Sequence, residues 1–150
     1  MKTLPVALSL LLALPMLAQQ FSPQPIALAP HREILIQKAP IRFVDGPSLA
    51  IALRHDVIEF VVDDSARSFV GVVIVSPSSQ LAHHFTGMPP MLAGASVLGW
   101  GQGGLGGYRL LAPSAIFALG MRWYAQGLTV DAAGVRAGDV SSFVLNTANG

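Results

Sequence analysis

Residues 48–75 read S-L-A-I-A-L-R-H-D-V-I-E-F-V-V-D-D-S-A-R-S-F-V-G-V-V-I-V, three apolar runs parted by polar or turn-forming residues. In the first run Leu49, Ile51 and Leu53 alternate with Ala50, Ala52 and Arg54, the period of a half-buried strand. The second repeats it, with Ile58, Phe60 and Val62 on one side and Glu59 and Asp63 on the other. A helix competes for these residues, because Leu49, Leu53, Val57 and Phe60 also fall at helical spacing and Ser48 after Pro47 suits a cap. The β-branched content of Val57, Ile58, Val61 and Val62 favours strands. Val70 to Val75 is apolar on both faces, which predicts a central strand covered on each side. Asp56 then serves one turn, and Asp63 to Arg67 becomes a hairpin connection.

Upstream of this stretch, Asp45-Gly46-Pro47 is a turn: Asp bonds its own backbone, Gly takes positive φ and Pro presets the next angle. Ile41, Phe43 and Val44 alternate after Pro40, which marks an edge position or a bulge, and Arg32 to Gln37 supplies a first strand. Three prolines between Phe21 and Pro30 predict an extended tether over 19–31. Residues 1–18, with Lys2, an apolar core and Ala18 before Gln19, read as a secretory signal peptide, an uncleaved membrane anchor being the competing reading on length.

Downstream, Ser76-Pro77-Ser78-Ser79 breaks the sheet and Gln80 to Thr86 has room for one helical turn before Gly87, Pro89 and Pro90. A short strand is predicted at Ala95 to Leu98. The glycine-rich stretch Gly99 to Gly107 comes next, and a returning strand runs from Tyr108 to Leu111. Ala115 to Leu119 is strand or short helix; Met121 to Asp131 and Ser142 to Asn146 close the set, with turns at Ala133-Gly134 and Ala137-Gly138-Asp139. Strands at this spacing predict an all-β domain over 32–150, a two-layer antiparallel β-sandwich of about eight short strands.

Charged residues make up 11% of the chain, less than half the share usual in soluble proteins, and removal of the leader takes Lys2 and leaves eight basic against eight acidic residues. A near-neutral domain without a basic stripe disfavours nucleic acid as a partner. The absence of cysteine excludes disulfides, a thiolate nucleophile and a lipid-bearing cysteine. The leader implies a secreted, periplasmic or cell-surface location, with no stable membrane span once it is cleaved.

The segment W-Y-A-Q-G-L-T-V-D-A-A-G at Trp123 to Gly134, then D-V-S-S-F-V-L-N at Asp139 to Asn146, resembles a β-sandwich module of secreted bacterial proteins that ends in an aromatic-x-Gln strand, an Asp turn and a Ser-rich strand. The resemblance covers roughly the last 30 residues. It implies extracellular placement, with Tyr124, Leu128 and Val130 facing inward, Asp131 at the turn, and Ser141 and Ser142 opening the last strand. Apart from that likeness, Gln126 lies in phase with Tyr124 and Leu128, so a buried amide there needs backbone partners and ties two strands together; an exposed Gln beside a bulge at Gly127 is the alternative.

Chemistry-bearing patterns are sparse. Gly99, Gly101 and Gly104 satisfy G-x-G-x-x-G, as do Gly101, Gly103 and Gly106, but the glycines lead into Y-R-L-L-A-P and not a helix, so no nucleotide or other cofactor is implied. His83 and His84 are adjacent and point apart on either secondary structure; a metal site needs one of them with Asp63 and Asp64, and solvated loop histidines are the simpler reading. His55, Asp56 and Glu59 offer an acid and a base without a nucleophile elbow. Trp100, Tyr108 and Trp123 are amphipathic aromatics suited to contact with a protein or a surface glycan, Trp100 above all because its glycine neighbours leave it few local packing partners. The expectation is an exported, non-catalytic interaction, adhesive or structural module. A small secreted metal-dependent hydrolase using His83 or His84 with Asp63 or Asp64, and a self-assembling surface subunit, are the alternatives.

Overall fold

The structure is a computed structural model that describes residues 32–38 and 45–148. The signal peptide, the tether, and the alternation at Ile41, Phe43 and Val44 lie outside the described residues. Among the described residues ten strands succeed one another: β1 (Arg32–Lys38), β2 (Ser48–Arg54), β3 (Val57–Asp63), β4 (Phe69–Ser76), β5 (Leu81–Ala82), β6 (Met91–Leu92), β7 (Ser96–Gly103), β8 (Tyr108–Pro113), β9 (Arg122–Asp131) and β10 (Gly134–Thr147). A 3-10 turn at Ser114–Ile116 lies between β8 and β9. Two antiparallel sheets pack face to face, one of five strands in the order β1-β10-β9-β4-β7 and one of three in the order β2-β3-β8. A ribbon of β5 and β6 lies against the outer face of the larger sheet.

The three apolar runs of the organising stretch are strands, and the helical alternative is not realised. β2 and β3 pair from Ser48 opposite Asp63 to Arg54 opposite Val57, leaving His55 and Asp56 as a two-residue turn in which His55 takes a φ of 56°. Ile58, Phe60 and Val62 point into the sandwich and are fully buried. The connection at Asp63 to Arg67 is a correction: β3 and β4 belong to different sheets, so these residues carry the chain across the sandwich and form no hairpin. β4 is covered on both faces, inside by the main core and outside by the ribbon.

An aromatic cluster centres the main core. Phe143 sits edge-on to Phe60 and Phe117 with ring centroids 5.9 and 5.1 Å away, and Trp123 packs on Phe117 at 5.4 Å. Opposite it, β9 presents the small residues Ala125 and Gly127 inward, with Gly127 against Val62 and Leu49. Its larger in-phase residues Tyr124 and Leu128 face outward under the ribbon with Ile74, Leu92 and Val140, and Val130 is exposed. The inward placement implied for Tyr124, Leu128 and Val130 is therefore reversed. A strand covered on both faces has no single apolar side, and at Gly127 a Cβ on the inner side would already lie 3.2 Å from Val62 Cγ2.

Two further boundaries differ from expectation. β10 is one strand of 14 residues, and Ala137-Gly138-Asp139 is a bulge within it where the register with β9 shifts, so Ser141 and Ser142 lie mid-strand. Gly138 is required there because a Cβ would run into the carbonyl of Pro47. Gln126 is fully buried, its Oε1 accepting from the Leu92 amide at 3.1 Å and its Nε2 donating to Gly138 O at 3.0 Å and Pro90 O at 3.3 Å. One side chain thus ties the ribbon and the bulge to β9, as expected of a buried amide at this position.

Candidate functional site

The glycine-rich stretch, which in sequence has the look of a loop, is mostly strand. β7 pairs with β4 from Phe69 opposite Gly103 to Val75 opposite Ser96, with one irregularity between Val73 and Ile74. Alternation explains its composition. Gly99, Gly101 and Gly103 face inward, where a Cβ at Gly99 would lie 2.7 Å from Leu110 Cδ1, one at Gly101 2.7 Å from Tyr108 Cε2, and one at Gly103 against the Phe69 ring. Trp100 and Gln102 therefore face outward. The chain crosses to the other sheet through Gly104-Leu105-Gly106-Gly107, closed by the Gly107 amide donating to Gly104 O at 2.9 Å, with Gly107 at a φ of 81°. The glycines do not open a helix, as a phosphate-cradling loop requires.

Trp100 is 72% exposed on this edge strand, opposite Val72 and beside exposed Val97 and Gln102. Its backbone is fixed by the ladder to β4, so the indole is held out from a strand rather than carried at a loop tip, the location its glycine neighbours suggest. The other two aromatics pack: Tyr108 lies 9% exposed over Gly71 and Gly101, and Trp123 packs on Phe117. Burial raises the Tyr108 phenol above its ordinary value.

His83 and His84 are exposed in the connection between β5 and β6, and His84 Nε2 approaches Leu92 O at 3.5 Å. Asp63 and Asp64 lie at the end of β3, in the other sheet. Among the described residues, no group of three or more His, Cys, Asp or Glu converges to hold a metal ion.

Asp64 has a different role. Burial alone would raise its pKa, but the carboxyl sits below the usual range because the Thr129 hydroxyl donates to it at 2.6 Å, the amides of Ala66 and Ser65 add to this, and Arg136 lies 3.0 Å away. Arg136 Nη2 also contacts Asp131 Oδ2 at 2.6 Å. The cluster borders an open polar cleft of about 590 Å³ lined by Asp45, Ser48, Asp63, Asp64, Ser65 and Arg136. With Asp64 held ionised by its partners, the cleft offers no proton donor from that group.

Glu59 is likewise occupied. It lies on the outer face of the three-stranded sheet yet is buried beneath Arg54 and Arg109, whose side chains are 68% and 62% exposed. The Arg54 hydrogen bond outweighs desolvation and, with the charges of Arg109 and Arg54, lowers its pKa. His55 and Asp56 remain at the turn beside it. The pairing of Glu59 with Arg54 and Arg109 is hidden in the sequence because Arg109 comes from the strand beyond the glycines. The only sequence signal is a carboxylate alternating with buried apolar residues on β3.

Compared with family models, with curated proteins and with solved structures, the chain finds no match, and the functional reading rests on its own residues.

Proposed function

We propose that the protein is an exported, non-catalytic β-sandwich that acts by contact, as an interaction module of the cell envelope or extracellular space. The observation that carries this reading is Trp100: a large amphipathic side chain, 72% exposed, on a strand whose inward positions are glycine. Strand pairing removes most of the ordering cost that a tryptophan on a free loop would meet on binding. Its neighbours Val72 and Val97 extend an apolar surface, and Gln102 supplies a polar margin, the make-up of a small protein-contact patch. The leader-like residues 1–18 support export.

The test is a photo-crosslinking residue at Gln102, close to Trp100, in the full chain expressed in the cells that export it. A discrete protein adduct that disappears with Trp100→Ala, while the melting temperature stays within about 2 °C, is the expected result. Retention by envelope polysaccharide without a protein adduct would transfer the site to a glycan. No Trp100-dependent adduct and no retention would overturn the reading.

A further inference from the structure

At the opposite edge of the five-stranded sheet lies β1, R-E-I-L-I-Q-K at Arg32 to Lys38. All seven residues pair with β10 in unbroken register, so the strand is regular, without a bulge or proline, and no strand among the described residues covers its outer side. Its charges stand at the two ends and its centre, Ile34-Leu35-Ile36, is apolar, the reverse of an edge guarded against pairing. Leu35 is 59% exposed and Ile36 41% exposed. Ile36 faces a cavity of about 320 Å³ shared with Leu49, Ala50 and Ile51 of β2, with Lys38, Ser48 and Ser141 at its polar margin, where the two sheets part.

The sequence of β1 is chemically palindromic about Leu35: Ile34 mirrors Ile36, Glu33 mirrors Gln37, and Arg32 mirrors Lys38. We infer that β1 pairs antiparallel with β1 of a second copy of this chain, about a two-fold axis through Leu35, joining the two five-stranded sheets edge to edge. In an antiparallel pair directly opposed residues share a face, and a two-fold axis normal to the sheet pairs residues whose numbers sum to an even value. The axis through Leu35 sets Leu35 against its own copy on the outer face, and sets Ile34 against Ile36 on the inner face, where Ile36 borders the cavity.

Charge complementarity selects the same register. Arg122 of β9 reaches over β10, its Nη1 donating to Gln37 Oε1 at 2.8 Å and to Ser142 Oγ at 3.2 Å. The axis brings Glu33 of the second copy opposite Gln37, within the reach of that guanidinium, and symmetry makes the pair twice. The like-charged pair this register would place at its ends, Arg32 with Lys38, is relieved because Arg32 Nη1 is turned inward to donate to Ser114 Oγ at 2.7 Å. An interface of one strand pair and its flanks falls below the size of a stable dimer, so association lies on the order of 10 μM and varies with concentration.

The chain contains no cysteine, which makes single-cysteine variants clean reporters. In residues 19–150, Leu35→Cys is expected to form a disulfide-linked dimer at least about tenfold faster than Val97→Cys on the other edge, because opposed Cβ atoms lie about 5 Å apart. Glu33→Cys mixed with Gln37→Cys should link more readily than either alone. Sedimentation across the micromolar range should show a monomer–dimer equilibrium that Glu33→Lys weakens about five- to tenfold, and that the charge swap Glu33→Arg with Arg122→Glu restores. A monomer at every concentration would overturn the proposal, and full protection of the β1 amides from exchange in that monomer would assign the edge to another segment of the same chain. Equal crosslinking at Leu35 and Val97 would overturn it also. None of these readouts involves Trp100, so failure here leaves the Trp100 reading standing, and the reverse holds.

Discussion

The two long sides of the sandwich are closed by different means. At one side β7 and β8, edges of different sheets, are joined by the short Gly104 to Gly107 corner, and Tyr108, Leu110 and Phe69 fill the space above the glycines of β7. At the other, β1 and β2 stand beside a cavity of about 320 Å³, while Asp64 with Thr129 and Arg136 links the middle of the two sheets by polar contacts. Glycine along one strand lets the sheets meet on the first side, whereas side chains such as Ile36, Leu49 and Ile51 stand around a gap beside a pairing edge on the second. Close approach of two sheets thus depends on what one strand lacks.

The largest test of this contrast is Tyr108→Ala, which empties the closed side and should cost about 3–5 kcal/mol in denaturant unfolding. Gly71→Ala attacks the same contact from the other strand, since the new Cβ would fall 2.5 Å from Tyr108 Cβ, and about 1–3 kcal/mol is expected. The double variant should cost less than the sum, because Tyr108 Cδ1 and Cγ, two of the three atoms nearest the new Cβ at 2.6 and 2.7 Å, are then absent. Additive losses would show that the closed side does not act through Tyr108.

Between the two sides, Asp64→Asn removes the charge held by Thr129 and Arg136 and should destabilise by about 1–3 kcal/mol. The pH dependence rests on the same groups. Asp64 and Glu59 both have folded pKa values lowered from the ordinary range, so their contribution is present above the unfolded values near about 4 and is lost as pH falls through the folded ones. Melting temperature should hold from neutrality down to about pH 5 and drop below it, less steeply in Asp64→Asn. Tyr108 works in the opposite sense: its raised phenol adds stability that is lost above about pH 10. The smallest effect belongs to Leu35→Lys, which should change monomer stability by no more than about 0.5 kcal/mol while weakening self-association.

Alternation within Leu49 to Leu53 and Ile58 to Val62 makes the three-stranded sheet legible from sequence, and the two-face apolarity of Val70 to Val75 marks β4 as a central strand. Three features are not legible, each for a physical reason. Asp63 to Arg67 reads as a turn whether it joins paired strands or crosses between sheets, because local turn chemistry does not report which strand comes next. Tyr124 and Leu128 alternate with Ala125 and Gly127, but with both faces of β9 covered, the phase alone does not say which face meets the main core. Glycine at alternate positions from Gly99 to Gly103 hides a strand, since alternation is normally recognised by its side chains and here one set is missing. Trp100 stands out in the sequence; the rigidity of its mount does not, because that depends on β4.

That glycine comb sets the pattern of permitted change along β7. A saturation scan of residues 99–103 should show intolerance at every second position, with free choice at Trp100 and Gln102 as far as folding is concerned. A stretch whose composition suggests a spacer with little to specify is a mould of Leu110, Tyr108 and Phe69, and its low complexity records the shape of other residues.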